Sequence, residues 1–178
     1  KARMAANLYI LGPGAPFIYY GEEIGLKGSR GSASTDANRR LAMRWGDGDP
    51  VTDPPGSTYS SQTESTVRQQ LETDGSLLKH YQRLLRVRRE NPEIAGGACS
   101  ALPFDKTKLG GFLFDQNGSR VLVLHNTTSS PLSVDLKDVT DFIPLEITAL
   151  LEALPGEGGA ALEGTMVTLG AYTSAVLR

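Results

Sequence analysis

The spacing of apolar residues changes near residue 96. Before it they recur at helical intervals or gather in one short run. After it they fall into short blocks separated by turn residues. Ala5, Leu8, Tyr9 and Leu11 fit the inner face of a helix that ends at Gly12-Pro13-Gly14. Phe17-Ile18-Tyr19-Tyr20 is a continuous apolar run bounded by Pro16 and Gly21, which predicts a buried strand of the parallel-sheet kind. Helix, Gly/Pro loop and buried strand make an α/β pattern. Lys27 to Ser60 is rich in Gly, Ser, Asp and Pro and has no steady period; a stretch this long within a domain is functional or lacks regular structure. Leu77, Leu78, Tyr81, Leu84, Leu85 and Arg88 line one face of a helix over Ser76–Asn91, started by Asp74 or Ser76 and ended by Asn91-Pro92. Its other side carries Lys79, Arg83, Arg86 and Arg89 and reads as a solvated face, with the last cations favoured by the helix dipole.

Beyond Ala95-Gly96-Gly97 the pattern predicts strands at Leu109–Asp115 and Arg120–Asn126, joined by a hairpin turn at Asn117-Gly118. Val121-Leu122-Val123-Leu124 is apolar on both faces, as in a central strand. Further strands are expected at Leu132–Leu136, Leu145–Leu151, Met166–Leu169 and Tyr172–Leu177, with a loop at Pro155–Gly159. About seven short strands with turns between them predict an antiparallel sandwich.

Composition narrows the classes. The net charge of -2 over 178 residues excludes a basic nucleic-acid footprint as the main theme. At 39% hydrophobic and 21% charged, the chain is globular in composition. One cysteine, Cys99, excludes an intrachain disulfide and a Cys-based zinc cage. Apolar runs fall short of the roughly 20 residues of a membrane span. The chain starts at Lys1 with neither Met nor a leader pattern, and is expected to be a fragment.

Candidate chemistry is sparse. Retaining glycosidases hold two carboxyls roughly 5–5.5 Å apart across the scissile bond. Glu22-Glu23 are adjacent, and neighbours on a strand point to opposite faces, so one carboxylate reads as tying down the loop and the other as facing solvent, rather than the two as an acid and a nucleophile. Tyr19, Tyr20 and Trp45 are aromatics beside polar loops, suited to stacking on sugars or to packing. Asp36, Arg39 and Arg40 either line a polyol-binding cleft or form a surface ion pair. His80 and His125 have no metal-ligand spacing and read as structural. Asn117-Gly118-Ser119 and Asn126-Thr127-Thr128 match the glycosylation acceptor pattern, which recurs by chance. There is no P-loop or dinucleotide fingerprint, and no Ser/His/Asp set stands out.

The run Leu11-Gly12-Pro13-Gly14-Ala15-Pro16-Phe17-Ile18-Tyr19-Tyr20-Gly21-Glu22-Glu23-Ile24-Gly25 resembles the eighth barrel strand and following loop of the α-amylase family, glycoside hydrolase family 13. Asp36-x-x-x-Arg40-x-x-Met43-x-Trp45 resembles that loop's continuation, with Ala42 where the family usually has proline. Ser76–Asn91 with Pro92-Glu93-Ile94 is similar to the last barrel helix and its exit, and the tail to the β-sandwich behind the barrel.

The resemblance implies an α/β remnant, the end of a TIM barrel, over residues 1–96. It implies an all-β antiparallel sandwich domain over 97–178. It further implies a parent that hydrolyses α-1,4-linked glucans such as starch by the retaining mechanism. The family's nucleophile aspartate, acid/base glutamate and stabilising aspartate follow the fourth, fifth and seventh strands, so no catalytic residue is expected here. Tyr20, Asp36 and Arg40 match positions that would shape the substrate cleft. No cofactor or metal is expected in this segment; calcium would belong to the parent. An α-glucan is the expected partner, without nucleic acid or membrane, and the isolated chain is expected to self-associate. The Gly- and Ser-rich loop after Gly25 is closer to secreted bacterial amylases, which favours an extracellular parent. The rivals are an α-glucosidase or transglycosylase of the family, an inactive amylase-like subunit, and a glucan-binding module.

Overall fold

The computed structural model describes residues 1–28, 36–60, 63, 65–102, 109–140, 149–154 and 158–178. The chain divides into two compact units, Phe17–Arg83, and Lys1–Pro16 with Leu84–Arg178. The second of these holds every strand among the described residues. Helix α1 covers Ala2–Ile10, and α3 runs over Leu77–Glu90, of which residues 84–90 count with this unit; α4 is Pro92–Gly96. The strands are β1 Ala98–Ala101, β2 Leu109–Gln116, β3 Ser119–Asn126, β4 Leu132–Asp135, β5 Leu150–Leu154, β6 Ala160–Glu163, β7 Met166–Leu169 and β8 Ser174–Leu177. They form two antiparallel sheets, β1-β2-β3-β8-β5 and β4-β7-β6.

The predicted hairpin forms because its turn chemistry is local. Asn117 and Gly118 both adopt positive φ (56° and 86°), the geometry that matches strand twist across a two-residue loop. The Gly118 N–H donates to the Asp115 carboxylate at 2.9 Å. Strand β3 is central, between β2 and β8. Leu122 and Leu124 join Leu113, Leu177, Val167 and Leu169 in one apolar core to which both sheets contribute. Side chains alternate along a strand, so Val121, Val123 and His125 face the other way. There Asn7 of α1 reaches Ser174 of β8, and Ser174 bonds His125. Strand β3 is therefore buried on both faces, one in the core between the sheets and the other on the side where α1 reaches β8.

Several expectations are corrected. The buried face of α1 is Met4, Ala6, Asn7 and Ile10, whereas Leu8 is 42% exposed. The helix turns its one amide inward because that amide has acceptors on the sheet, the Ser174 hydroxyl and the Leu154 carbonyl. Leu85 is also exposed and Val87 takes the inner position instead. The Leu132–Leu136 strand stops at Asp135, whose carboxylate accepts from the Lys137 N–H and starts a short helix α5, Leu136–Thr140. Strands β1 and β6 and helices α2 (Val67–Glu72), α4 and α5 were not anticipated. Residues 145–148 of one expected strand and 155–157 of the expected loop lie outside the described residues.

The unit Phe17–Arg83 contains α2, the first half of α3 and two 3-10 turns, Glu22–Ile24 and Asp36–Arg39. Polar stitches help to hold it. Thr66 and Gln69 make a reciprocal capping box on α2. The Gln70 amide donates to the Ile24 carbonyl (2.8 Å) and accepts from the Leu78 N–H (3.0 Å). Asn38 exchanges hydrogen bonds with Thr58 at 2.7 and 2.8 Å.

The buried strand expected at Phe17–Tyr20 is not formed. Phe17 is 92% exposed and Tyr19 56%. A parallel strand needs a neighbour on each side to take its N–H and C=O groups. Every strand pair among the described residues is antiparallel and none involves this run.

Candidate functional site

The Leu11–Gly25 motif is anchored first by Arg88. Its guanidinium is buried on α3 and donates to the carbonyls of Ile10 (2.7 Å), Gly12 (2.9 Å) and Gly14. These are carbonyls at and just past the end of α1, where the helix has no amide partners and its dipole is negative. Burial lowers the guanidinium pKa, though arginine remains charged. The helical spacing had already placed this cation on the inner face; the three carbonyls explain why it can be there.

Past Pro16 the chain turns at Gly21, whose φ is 90°. A Cβ there would lie 2.7 Å from the Leu26 Cδ2, so the position needs glycine for both conformation and space. The unpaired backbone finds local acceptors. The Tyr19 N–H donates to Glu22 Oε1 (2.8 Å) and the Gly21 N–H to Glu23 Oε2 (2.7 Å). Both glutamates tie the loop, where one was expected to face solvent, because each has a loop N–H within reach; neither is one half of a catalytic pair with the other.

The three candidate residues are in this unit. The Tyr20 hydroxyl donates to the Leu41 carbonyl at 3.1 Å, and its ring lies against Tyr19 with centroids 4.9 Å apart. Arg40 pairs with Asp36 at 3.2 Å, and Arg39 pairs with the same carboxylate at 3.3 Å. The Asp53 carboxylate accepts from the Ala42 N–H at 2.8 Å. Burial and the neighbouring Tyr19 raise the Tyr20 pKa, while the Arg40 charge pulls it down. Tyr20 thus stays a neutral hydroxyl within electrostatic reach of Arg40. The sequence reading missed Asp53; it stands in a Pro-rich stretch without periodicity, which leaves no signal for its role.

Both Arg–Asp pairs are more than half exposed and so add little to stability. Their donors and acceptors can meet a polyhydroxylated ligand. Trp45 is 62% exposed, with its backbone carbonyl accepting from the Arg68 N–H at the start of α2. Phe17, Tyr19 and Trp45 offer exposed aromatic faces on the same unit. No group of three His, Cys, Asp or Glu among the described residues could hold a metal ion.

The histidines and the acceptor-pattern asparagines are structural. His80 is buried. His125 is 1% exposed, bonds Ser174 through Nδ1 and leaves Nε2 without a partner, and burial lowers its pKa to about 4. Asn126 is fully buried; its amide donates to the Ser130, Leu169 and Gly170 carbonyls, and its oxygen accepts from Thr128. It is therefore no glycosylation acceptor in the folded chain. Asn117 is exposed in the hairpin turn.

These elements make a segment of helices and turns followed by two antiparallel sheets, and comparison with known proteins gives its family. The family described as "Alpha amylase, catalytic domain" matches residues 1–97. The chain belongs to the α-amylase family. It is 30% identical over 147 residues to the alpha-amylase SusG of Bacteroides thetaiotaomicron, covering 78% of this chain and 21% of SusG. It is 28% identical over 173 residues to the trehalose synthase/amylase TreS of Mycobacterium tuberculosis, covering 82% of this chain and 29% of TreS. Among solved structures, Eubacterium rectale Amy13B superposes with a TM-score of 0.84 at 27% identity, covering 99% of this chain and 34% of Amy13B. The chain spans about a fifth to a third of the length of these proteins.

Proposed function

We propose that this chain is the C-terminal portion of an α-amylase-type glycoside hydrolase. Residues 1–96 are the end of its (β/α)₈ barrel and residues 97–178 the β-sandwich domain that follows. The whole enzyme cleaves α-1,4-glucosidic bonds in starch and related α-glucans by the retaining mechanism. One observation carries the reading. Tyr20 of the Leu11–Gly25 motif and the Asp36–Arg40 pair lie together in the segment that matches the family's catalytic domain. Asp36 accepts and Arg40 donates hydrogen bonds to sugar hydroxyls, Tyr20 shapes the wall, and the exposed aromatics stack on pyranose rings.

Bond cleavage needs two carboxyls facing each other across the scissile bond. Glu22 and Glu23 are committed to the loop backbone. The 178-residue chain is therefore inactive alone. Soluble starch and a chromogenic maltoside are expected to show no turnover above a buffer blank; turnover that co-purifies with the chain refutes this. Maltoheptaose is expected to shift the NMR signals of Tyr20 and Arg40, and Arg40→Ala to remove the response. Shifts confined to the two sheets would refute the cleft.

The similarity to TreS supports a second reading, transglycosylation or isomerisation within the same family. Incubating the whole enzyme with maltose separates the two: glucose alone marks hydrolysis, a non-reducing disaccharide marks the alternative. No described helix is long and apolar enough to cross a membrane. The reading favours an extracellular bacterial enzyme, with calcium assigned to the parent rather than to this segment.

The isolated chain is expected to self-associate through residues 1–30 and the Ser76–Asn91 helix. Phe17, Ile18 and Tyr19 are exposed on one unit, and Leu8 and Leu85 on the other, and exposed apolar groups mark interfaces. Light scattering over a concentration series tests this. A clean monomer at high concentration, or a dimer held only by the sheets, refutes it.

A further inference from the structure

The chain has five asparagines. Asn7, Asn38, Asn91 and Asn126 are buried, and their side-chain amides donate to acceptors within the fold. Asn117 is exposed in the β2–β3 turn, and it is the one followed by glycine. A Cβ at Gly118 would meet nothing within 4 Å, so the Asn117–Gly118 peptide lies open to solvent with no side chain crowding its nitrogen. A backbone nitrogen next to an asparagine can close a ring onto the carboxamide carbon, and a bare glycine nitrogen does so with the least steric hindrance. One contact opposes this. The Gly118 N–H donates to Asp115 Oδ1 at 2.9 Å, and Asp115 Oδ2 accepts from Arg120 Nε at 2.7 Å. Ring closure has to break the first of these bonds. The Arg120 guanidinium and the Gly118 N–H hold the Asp115 carboxyl below its ordinary range, which makes it a poor base for taking the glycine proton. The carboxylate therefore holds the nitrogen in place rather than activating it.

We propose that Asn117 is a self-modification site: its side chain is converted through a succinimide to aspartate and isoaspartate, and the Asp115 bond to the Gly118 N–H restrains the reaction. The Gly118 nitrogen gives its proton to a solvent base and bonds Asn117 Cγ. The Cγ–Nδ2 bond breaks, and Nδ2 takes up a proton from water and leaves as ammonia. Water then adds to one of the two ring carbonyls. Opening at Cγ gives aspartate. Opening at the Asn117 main-chain carbonyl gives isoaspartate, in which the chain runs through the former side chain. The sum consumes water, releases ammonia and leaves a new carboxylate, with no change of oxidation state. Isoaspartate lengthens the backbone of a two-residue turn whose positive φ angles match the strand twist. The Gln116–Ser119 pairing across that turn then loses its register. Ser119 Oγ donates to Glu93 of α4, so the change in the turn also reaches the helix beside the hairpin.

The test incubates the 178-residue chain in mildly alkaline buffer and follows its proteolytic peptides by mass spectrometry. Methyl transfer by an isoaspartyl methyltransferase marks the isoaspartate. Conversion of amide to acid is expected in the peptide that holds Asn117, ahead of every peptide that holds a buried asparagine. Asn117→Gln, whose longer side chain closes a less favourable ring, is expected to stop it. Asp115→Ala is expected to speed it about tenfold or more, the effect on a rate of losing a hydrogen bond to a charged group. Should that variant fail to fold, Asp115→Glu serves: it keeps a charge for Arg120, moves the oxygen off the Gly118 N–H and should also speed the reaction. The proposal is overturned by an Asn117 amide that outlasts the buried ones, by acid formation in the same peptide of Asn117→Gln, or by a rate in the folded Asp115 variant equal to or below that of the parent chain.

Discussion

Replacing Arg88 by Met tests whether the glycine-proline loop is held by charge or merely by the helix before it. The guanidinium donates to three carbonyls in the native chain. Gly14 is exposed, so its carbonyl can turn to water once the arginine is gone. Ile10 and Gly12 are buried, and their carbonyls cannot. Leaving a buried acceptor unsatisfied costs about 1–3 kcal/mol, so the two together cost about 2–6 kcal/mol. Met fills much of the stem volume, which keeps packing loss small and isolates the polar cost. Lys supplies a charge but not a planar fork, and cannot span three carbonyls. Arg88→Lys is therefore expected at roughly half the cost. Urea unfolding followed by far-UV circular dichroism gives both numbers. At a slope of about 2 kcal/mol/M, Arg88→Met should lower the midpoint by about 1–3 M with the slope unchanged. A loss below about 1 kcal/mol would mean that water or a backbone shift satisfies Ile10 and Gly12, and the clamp argument fails.

Three further outcomes follow from the packing. Val123 is fully buried on central strand β3, so Val123→Asp places an unpaired charge there and should unfold the strand-bearing unit, read as collapse of amide dispersion; a melting temperature that barely moves would refute its central place. Gly21→Ala combines left-handed strain with a 2.7 Å approach to Leu26, an expected cost of about 2–4 kcal/mol in the Phe17–Arg83 unit, with Trp45 fluorescence as the reporter; an unchanged midpoint there sinks the steric reading. Burial alone would raise the Glu93 pKa, but hydrogen bonds from Ser119 and its own backbone and the Arg178 charge lower it overall. Its contribution is thus present above the ordinary glutamate pKa and lost as pH falls below it, so Glu93→Gln should destabilise at pH 7 and much less at pH 3 in paired urea titrations.

The hairpin from Leu109 to Asn126 and the helix over Ser76–Asn91 were legible in the sequence. Their signals are local: an Asn-Gly pair that prefers the turn it occupies, and apolar residues at helical intervals before an Asn-Pro stop. A loop tie by one of Glu22 and Glu23 was legible; that both would bond the loop backbone was not. Tyr20, Asp36 and Arg40 could be named from the motif, but not their acceptors, since Leu41 and Asp53 carry no pattern. Tertiary structure decided the rest. Phe17–Tyr20 has the composition of a buried strand and lies open, because a strand exists only when a neighbour supplies its hydrogen bonds. Val121–Leu124 has the composition of a sandwich core, yet only Leu122 and Leu124 join the core between the sheets, while the other face leads to Ser174 and Asn7 of α1, which apolarity alone cannot foretell. Asn7 looks like a surface residue by type, and the acceptors that let Arg88 sit on the inner face of its helix carry no local signal. Both are buried because distant groups accept their hydrogens, and burial of a polar group depends on where its partners fall in space rather than along the chain.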